Sequence, residues 1–100
     1  MKLEDLARVI RSKNAGPRVL TLDVICASST DFERLRASRA LDGAVIARLY
    51  GVAAADVRVT EYPVAHAVKI TLPRAFMAGS VADRDVYGAQ QHARLLDLEV

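Results

Sequence analysis

Residues 18–26 read Arg-Val-Leu-Thr-Leu-Asp-Val-Ile-Cys, and this stretch constrains the fold more than any other. Leu20, Leu22, Val24 and Cys26 fall on one face of a strand, and Val19, Thr21, Asp23 and Ile25 on the other. A strand that is apolar on both faces belongs inside a sheet rather than at its edge. Asp23 is the exception, because a carboxylate buried there needs donors or a cation. Cys26, at the strand end, reads as a small core residue.

The other elements fall around this strand. Leu3, Leu6, Ala7 and Ile10 have helical spacing, while Leu6, Arg8 and Ile10 also suit one face of a strand. A strand is the preferred reading, because a polar turn, Ser12-Lys13-Asn14-Ala15-Gly16-Pro17, and the central strand follow at once. Thr30 with Glu33 has the spacing of a capping box and predicts a helix with Phe32 and Leu35 inward. Asp42 is placed to cap a second helix carrying the stripe Val45, Ile46, Leu49 and Tyr50, which Gly51 and Val52 would close. Val57 to Tyr62 and His66 to Leu72 read as strands separated by Pro63-Val64. From Pro73 onward regular structure is not evident until Leu95 to Val100, whose alternation predicts a closing strand. The helices lie between strand pairs, so residues 1–100 form a single α+β domain, a two-layer sandwich with a mainly antiparallel sheet and two helices on one face.

Composition excludes several classes. A hydrophobic fraction of 52% excludes wholesale disorder. Much of it is Ala and there is no Trp, so the core is built from small side chains, each burying little area. Extra stability from a partner or from self-association is therefore expected. A net charge of +2 is too weak a field for a nucleic-acid binder. Arg34, Arg36 and Arg39 cluster on the predicted first helix, where a solvated face is expected. With one cysteine, no internal disulfide or paired-thiol metal site can form. The acidic N-terminus does not resemble a secretory leader, and no apolar run is long enough to span a bilayer. A cytoplasmic protein with no membrane or nucleic-acid partner is the expectation.

Three polar groups could carry chemistry. Arg11, Ser12, Lys13 and Asn14, followed by Gly16, put two cations beside a hydroxyl and turn N–H groups, a combination suited to a carboxylate or phosphate. An ordinary basic turn explains the same residues, and the phosphate-loop pattern is absent. Lys69 and Thr71 share a strand face, with Arg74 beyond. The third group is Asp85-Val86-Tyr87-Gly88-Ala89-Gln90-Gln91-His92, which lies in a long irregular segment of the kind that is often functional. Tyr87 and His92 can transfer protons, Asp85 can orient a partner, and Gln90 and Gln91 can bind carboxylates or amides. No nucleophile, base and orienter stand together. His66 and His92, the only histidines, lie far apart in sequence, so no metal site is expected. No cofactor motif is present.

The segments Ile10 to Pro17, Leu20 to Asp23, Leu49 to Val52, Lys69 to Arg74 and Asp85 to His92 together resemble a bacterial family of small proteins catalogued as a domain of unknown function, number 4387. Genes of that family often accompany a larger protein similar to the acyclic terpene utilisation protein AtuA. AtuA-like proteins can end in a small ferredoxin-like domain with an early Arg-Ser-Gly-Asp-Lys-Gly loop. Arg11-Ser12-Lys13-Asn14 is loosely similar to that loop, but Lys13 and Asn14 stand in place of its Gly and Asp. The resemblance implies a ferredoxin-like sandwich that acts as the small subunit of a larger AtuA-like enzyme of acyl or carboxylate metabolites. The alternatives are a homo-oligomeric enzyme, with Arg11, Lys13 and Arg74 binding an anionic substrate, or a non-catalytic binding protein for a small anionic metabolite.

Overall fold

The computed structural model describes residues 1–74 and 91–100. Its elements, in chain order, are a single helical turn α1 (Leu3–Leu6), strands β1 (Val9–Asn14) and β2 (Val19–Ile25), helices α2 (Ser29–Ser38) and α3 (Gly43–Tyr50), and strands β3 (Arg58–Tyr62) and β4 (Ala67–Pro73). Short 3-10 turns cover Ala54–Asp56, Pro63–Ala65 and Gln91–Leu95. The strands form one antiparallel sheet in the order β1-β2-β4-β3, so β2 is an inner strand, as its two apolar faces require.

Register builds the core. Leu20, Leu22 and Val24 stand directly opposite Leu72, Ile70 and Val68. These six side chains form the inner face of the sheet, and Phe32 and Leu35 of α2 and Ile46 of α3 pack in the same cluster. Leu3, Leu6 and Leu95 complete it, and both Leu3 and Leu95 are fully buried. The result is a two-layer α+β sandwich with both long helices on one face. Its layers are those of a ferredoxin-like sandwich, whereas the order of its main elements among the described residues is ββααββ rather than the alternating βαββαβ. Both long helices sit in one connection, from β2 to β3, which leaves β4 between two mutually parallel strands.

Several local expectations change. Residues 3–10 are not one strand: Leu3 to Leu6 form a helical turn, and β1 begins at Val9. Tertiary bonds decide this, because the Leu3 and Glu4 N–H groups donate to the Leu98 and Leu96 carbonyls. The polar turn is shorter than its composition suggests. Ser12, Lys13 and Asn14 are ladder residues paired with Leu22, Thr21 and Leu20, and Gly16, at φ 140°, makes the reversal.

Helix α2 is capped by Ser28, whose hydroxyl accepts the Asp31 N–H at 3.2 Å, and not by Thr30. Glu33 pairs with Arg36 instead of closing a capping box. Asp42 stands at the N-cap of α3, but its carboxylate takes the Arg39 guanidinium at 2.8 Å. Gly51 ends α3 at φ 68°, and the Val52 N–H returns to the Ala47 carbonyl, as expected. His66 precedes β4 with a left-handed φ of 52° and is half-buried, its ring 6.4 Å from that of Phe32. Leu95 to Val100 is not a strand. Leu95 closes a 3-10 turn, and Glu99 makes one isolated bridge to Lys2. Alternation there arises because Leu96 and Leu98 accept bonds from the α1 turn while Leu98 and Val100 pack on the core.

Candidate functional site

Edge strand β1 divides its polar residues by parity. Ser12 and Asn14 turn to the helix side, opposite Leu22 and Leu20, whereas Arg11 and Lys13 lie on the opposite face, opposite Asp23 and Thr21. The cations and the hydroxyl that seemed to form one anion-binding turn are therefore separated by the thickness of the sheet.

On the helix side, one corner gathers four of the sequence-predicted residues. Ser12 is 7% exposed. Its Oγ accepts the His92 backbone N–H at 3.0 Å and lies 3.4 Å from His92 Nδ1. Fully buried Leu95 anchors the 3-10 turn that carries His92, and Gln91 opens that turn. Arg74 extends the β4–β2 ladder past Pro73, since its N–H donates to the Arg18 carbonyl at 2.9 Å. Its guanidinium then crosses the end of β2 and donates to Asn14 Oδ1 at 2.8 Å. Arg74 and His92, which flank residues 75–90, are thus bonded to two positions of β1 that are neighbours on one face. Asp85, Tyr87 and Gln90 lie outside the described residues.

The corner brings together a hydroxyl, a carboxamide, a guanidinium and an imidazole. A nucleophile and its base stand within about 2.6–3.2 Å, and the Ser12–His92 Nδ1 separation is longer than that. The buried Ser12 hydroxyl already serves as acceptor for a backbone N–H, so the pair acts as a clamp that ties residue 92 to β1. Guanidinium, carboxamide and imidazole together are the groups that bind carboxylates by charge-assisted and directional hydrogen bonds. Among the described residues there is no group of three or more His, Cys, Asp and Glu side chains that could hold a metal ion.

On the opposite face, Asp23 is the half-buried carboxylate anticipated from the sequence. Arg11 Nε meets its Oδ2 at 3.0 Å, and Lys69 stands directly across from it on β4. Thr71 lies on the same face as Lys69, across from Thr21 and Arg58. Arg11, Lys13 and Lys69 therefore belong to a surface separate from the Ser12–His92 corner.

Sequence reasoning passed over one feature. At the far edge of the sheet a cavity of about 150 Å3 opens between α2 and β3, floored by Leu35, Leu41 and Val68. Arg36 and Arg39, read as a solvated face, form its rim. Arg36 is paired with Glu33 and Glu61, and Arg39 with Asp42. The signal was weak, because Arg39 lies beyond the helix in a left-handed conformation that its residue type does not announce.

Fold and corner together define a small α+β domain whose polar residues meet where an edge strand is clamped to the C-terminal segment. The chain belongs to the family described as Domain of unknown function (DUF4387), whose model matches residues 3–99. No curated protein and no solved structure matches it. Among the described residues, no helix is long and apolar enough to cross a membrane.

Proposed function

We propose that this chain is an accessory subunit of a larger AtuA-like enzyme acting on acyl or carboxylate metabolites, and that the Ser12–Asn14–Arg74–His92 corner contributes carboxylate-recognising groups to the shared site. The observation that carries this reading is the composition of the corner. It collects a guanidinium, a carboxamide and an imidazole on rigid elements, and its one hydroxyl is used as a structural acceptor. Such a set binds and orients but does not itself supply an activated nucleophile. A subunit that completes a partner's pocket needs no more than that. Asp85, Tyr87, Gln90 and Gln91, close in sequence to His92, belong to the same proposed site.

Reconstitution tests the proposal. An AtuA-like protein from the same cells is purified alone and assayed with and without this chain. Added wild-type chain is expected to raise turnover. Arg74→Ala, shown to be folded by its melting curve, is expected to raise the substrate KM of the complex. Equal activity with and without the chain would contradict the subunit role. Stabilisation of the free chain by a dicarboxylate or an acyl-CoA ester, without any partner, would favour an independent binding protein instead.

A further inference from the structure

The register of the sheet places a set of cations on the face that the described helices leave open. Along one rung run Lys13, Thr21, Thr71 and Arg58, and along the next Arg11, Asp23, Lys69 and Thr60. Arg11, Lys13, Lys69 and Arg58 thus share one face with Asp23 as the only carboxylate of these two rungs. Arg11 is paired with Asp23. Lys13, Arg58 and Lys69 have no ion pair among the described residues, and Lys13 and Arg58 are exposed. The ion pairs of Arg36 and Arg39 lie on the helix side. With strands about 4.8 Å apart, Lys13 and Arg58 stand roughly 14 Å from each other across the sheet.

The geometry points to this face as the docking surface for an acidic protein surface. The inference rests on the accessory-subunit reading and assigns the larger subunit a carboxylate-rich patch complementary to Lys13, Lys69 and Arg58. Charge complementarity selects that occupant. The central strands carry Thr21, which is only 4% exposed, with Asp23, Lys69 and Thr71 on this face, so the exposed cations Lys13 and Arg58 stand on its two edge strands. A single nucleic-acid strand would meet Asp23 in the middle of its path. A third rung, Val9, Ile25, Ala67 and Tyr62, adds apolar contact at one end, with Val9 and Tyr62 among the exposed large hydrophobics.

Zero-length carbodiimide coupling of the native complex, followed by mass spectrometry, tests this directly. Amide links from Lys13 and Lys69 to Asp or Glu of the larger subunit are expected. The triple variant Lys13→Glu, Lys69→Glu, Arg58→Glu, checked for folding by its melting curve, is expected to leave the complex, while Arg34→Glu, Arg48→Glu on the helices stays in it. A complex that forms but couples only elsewhere, or that the helix variant disrupts equally, overturns the docking face and leaves the subunit role standing. A chain that never enters a complex overturns both. Free in low salt, the chain is expected to bind poly-L-glutamate at least about tenfold more tightly than the open-face variant, with the helix variant close to wild type. Equal losses from both variants would show that net charge alone is responsible and would overturn the face assignment.

Discussion

The Ser12 hydroxyl accepts the backbone N–H of His92 at 3.0 Å, joining two residues 80 positions apart in the chain. Ser12 sits in the interior of an edge strand and His92 in the turn that follows residues 75–90. This hydrogen bond ties the C-terminal turn to the sheet, alongside the fully buried Leu95 side chain.

Ser12→Ala removes that acceptor and leaves the His92 N–H without it. Losing one partner of a buried hydrogen bond costs about 1–3 kcal/mol. For a domain of this size the melting temperature is expected to fall by about 4–8 °C for each kcal/mol. Lys13→Ala, one position on and facing the other way, is expected to change stability by no more than about 0.5 kcal/mol. Equal losses from the two variants would show that the Ser12–His92 bond is not a stabilising clamp.

Ile70 is fully buried directly opposite Leu22, at the centre of the inner face. Ile70→Ala is expected to destabilise by about 2–5 kcal/mol through lost burial and the cavity left behind. That is a large share of a net stability of about 5–15 kcal/mol. Chemical denaturation would read it as a lower midpoint with an unchanged slope.

Gly51 ends α3 at φ 68°, and a Cβ added there would meet no atom within 4 Å. The cost of Gly51→Ala is therefore backbone strain alone, about 1–2 kcal/mol. Asn tolerates this conformation better, so Gly51→Asn is expected to recover part of the loss in the same denaturation assay. Equal destabilisation by both would argue against a conformational origin.

Two groups give a pH and reactivity signature. Burial pushes the Tyr50 phenol up, with the nearby Arg94 guanidinium opposing it. The folded state then holds the phenolic proton more tightly than the unfolded one, so the Tyr50 contribution is complete below the ordinary phenol pKa of 10.0 and is lost as pH rises above it. Tyr50→Phe is expected to lose less stability than wild type between neutral pH and pH above 10. Burial, and secondarily the charge of Asp31, also raises the Cys26 thiol. The native protein is expected to react slowly with a thiol reagent at neutral pH, and the unfolded protein rapidly.

Much of this architecture was legible in the sequence, for physical reasons that vary by residue. The two apolar faces of residues 18–26 reported a strand with neighbours on both sides, and Gly51 reported a left-handed cap that few other residues adopt. Both signals are local and strong. The Leu3–Ile10 stretch carried two periodicities, and both are real: a helical turn is followed by a strand. The choice at Leu3 was made by carbonyls more than 90 residues away, which no window of sequence contains. The C-terminal alternation came from a turn that packs alternate side chains on the core without a neighbouring strand.

The grouping of the candidate residues was half legible for a similar reason. Ser12, Asn14, Arg74 and His92 were singled out by residue type, and the structure brings them together. Reading residues 12–14 as a turn discarded the alternation that separates them from Arg11 and Lys13. Once β1 is known to run to Asn14, parity alone assigns the two groups to opposite faces.

The accessory-subunit role is tested most directly by native mass spectrometry of the chain, tagged at its own locus and isolated under gentle conditions. The expected spectrum contains a complex of fixed stoichiometry between this chain and a substantially larger protein. Recovery of the chain only as a free species, or only with copies of itself, would contradict the proposal.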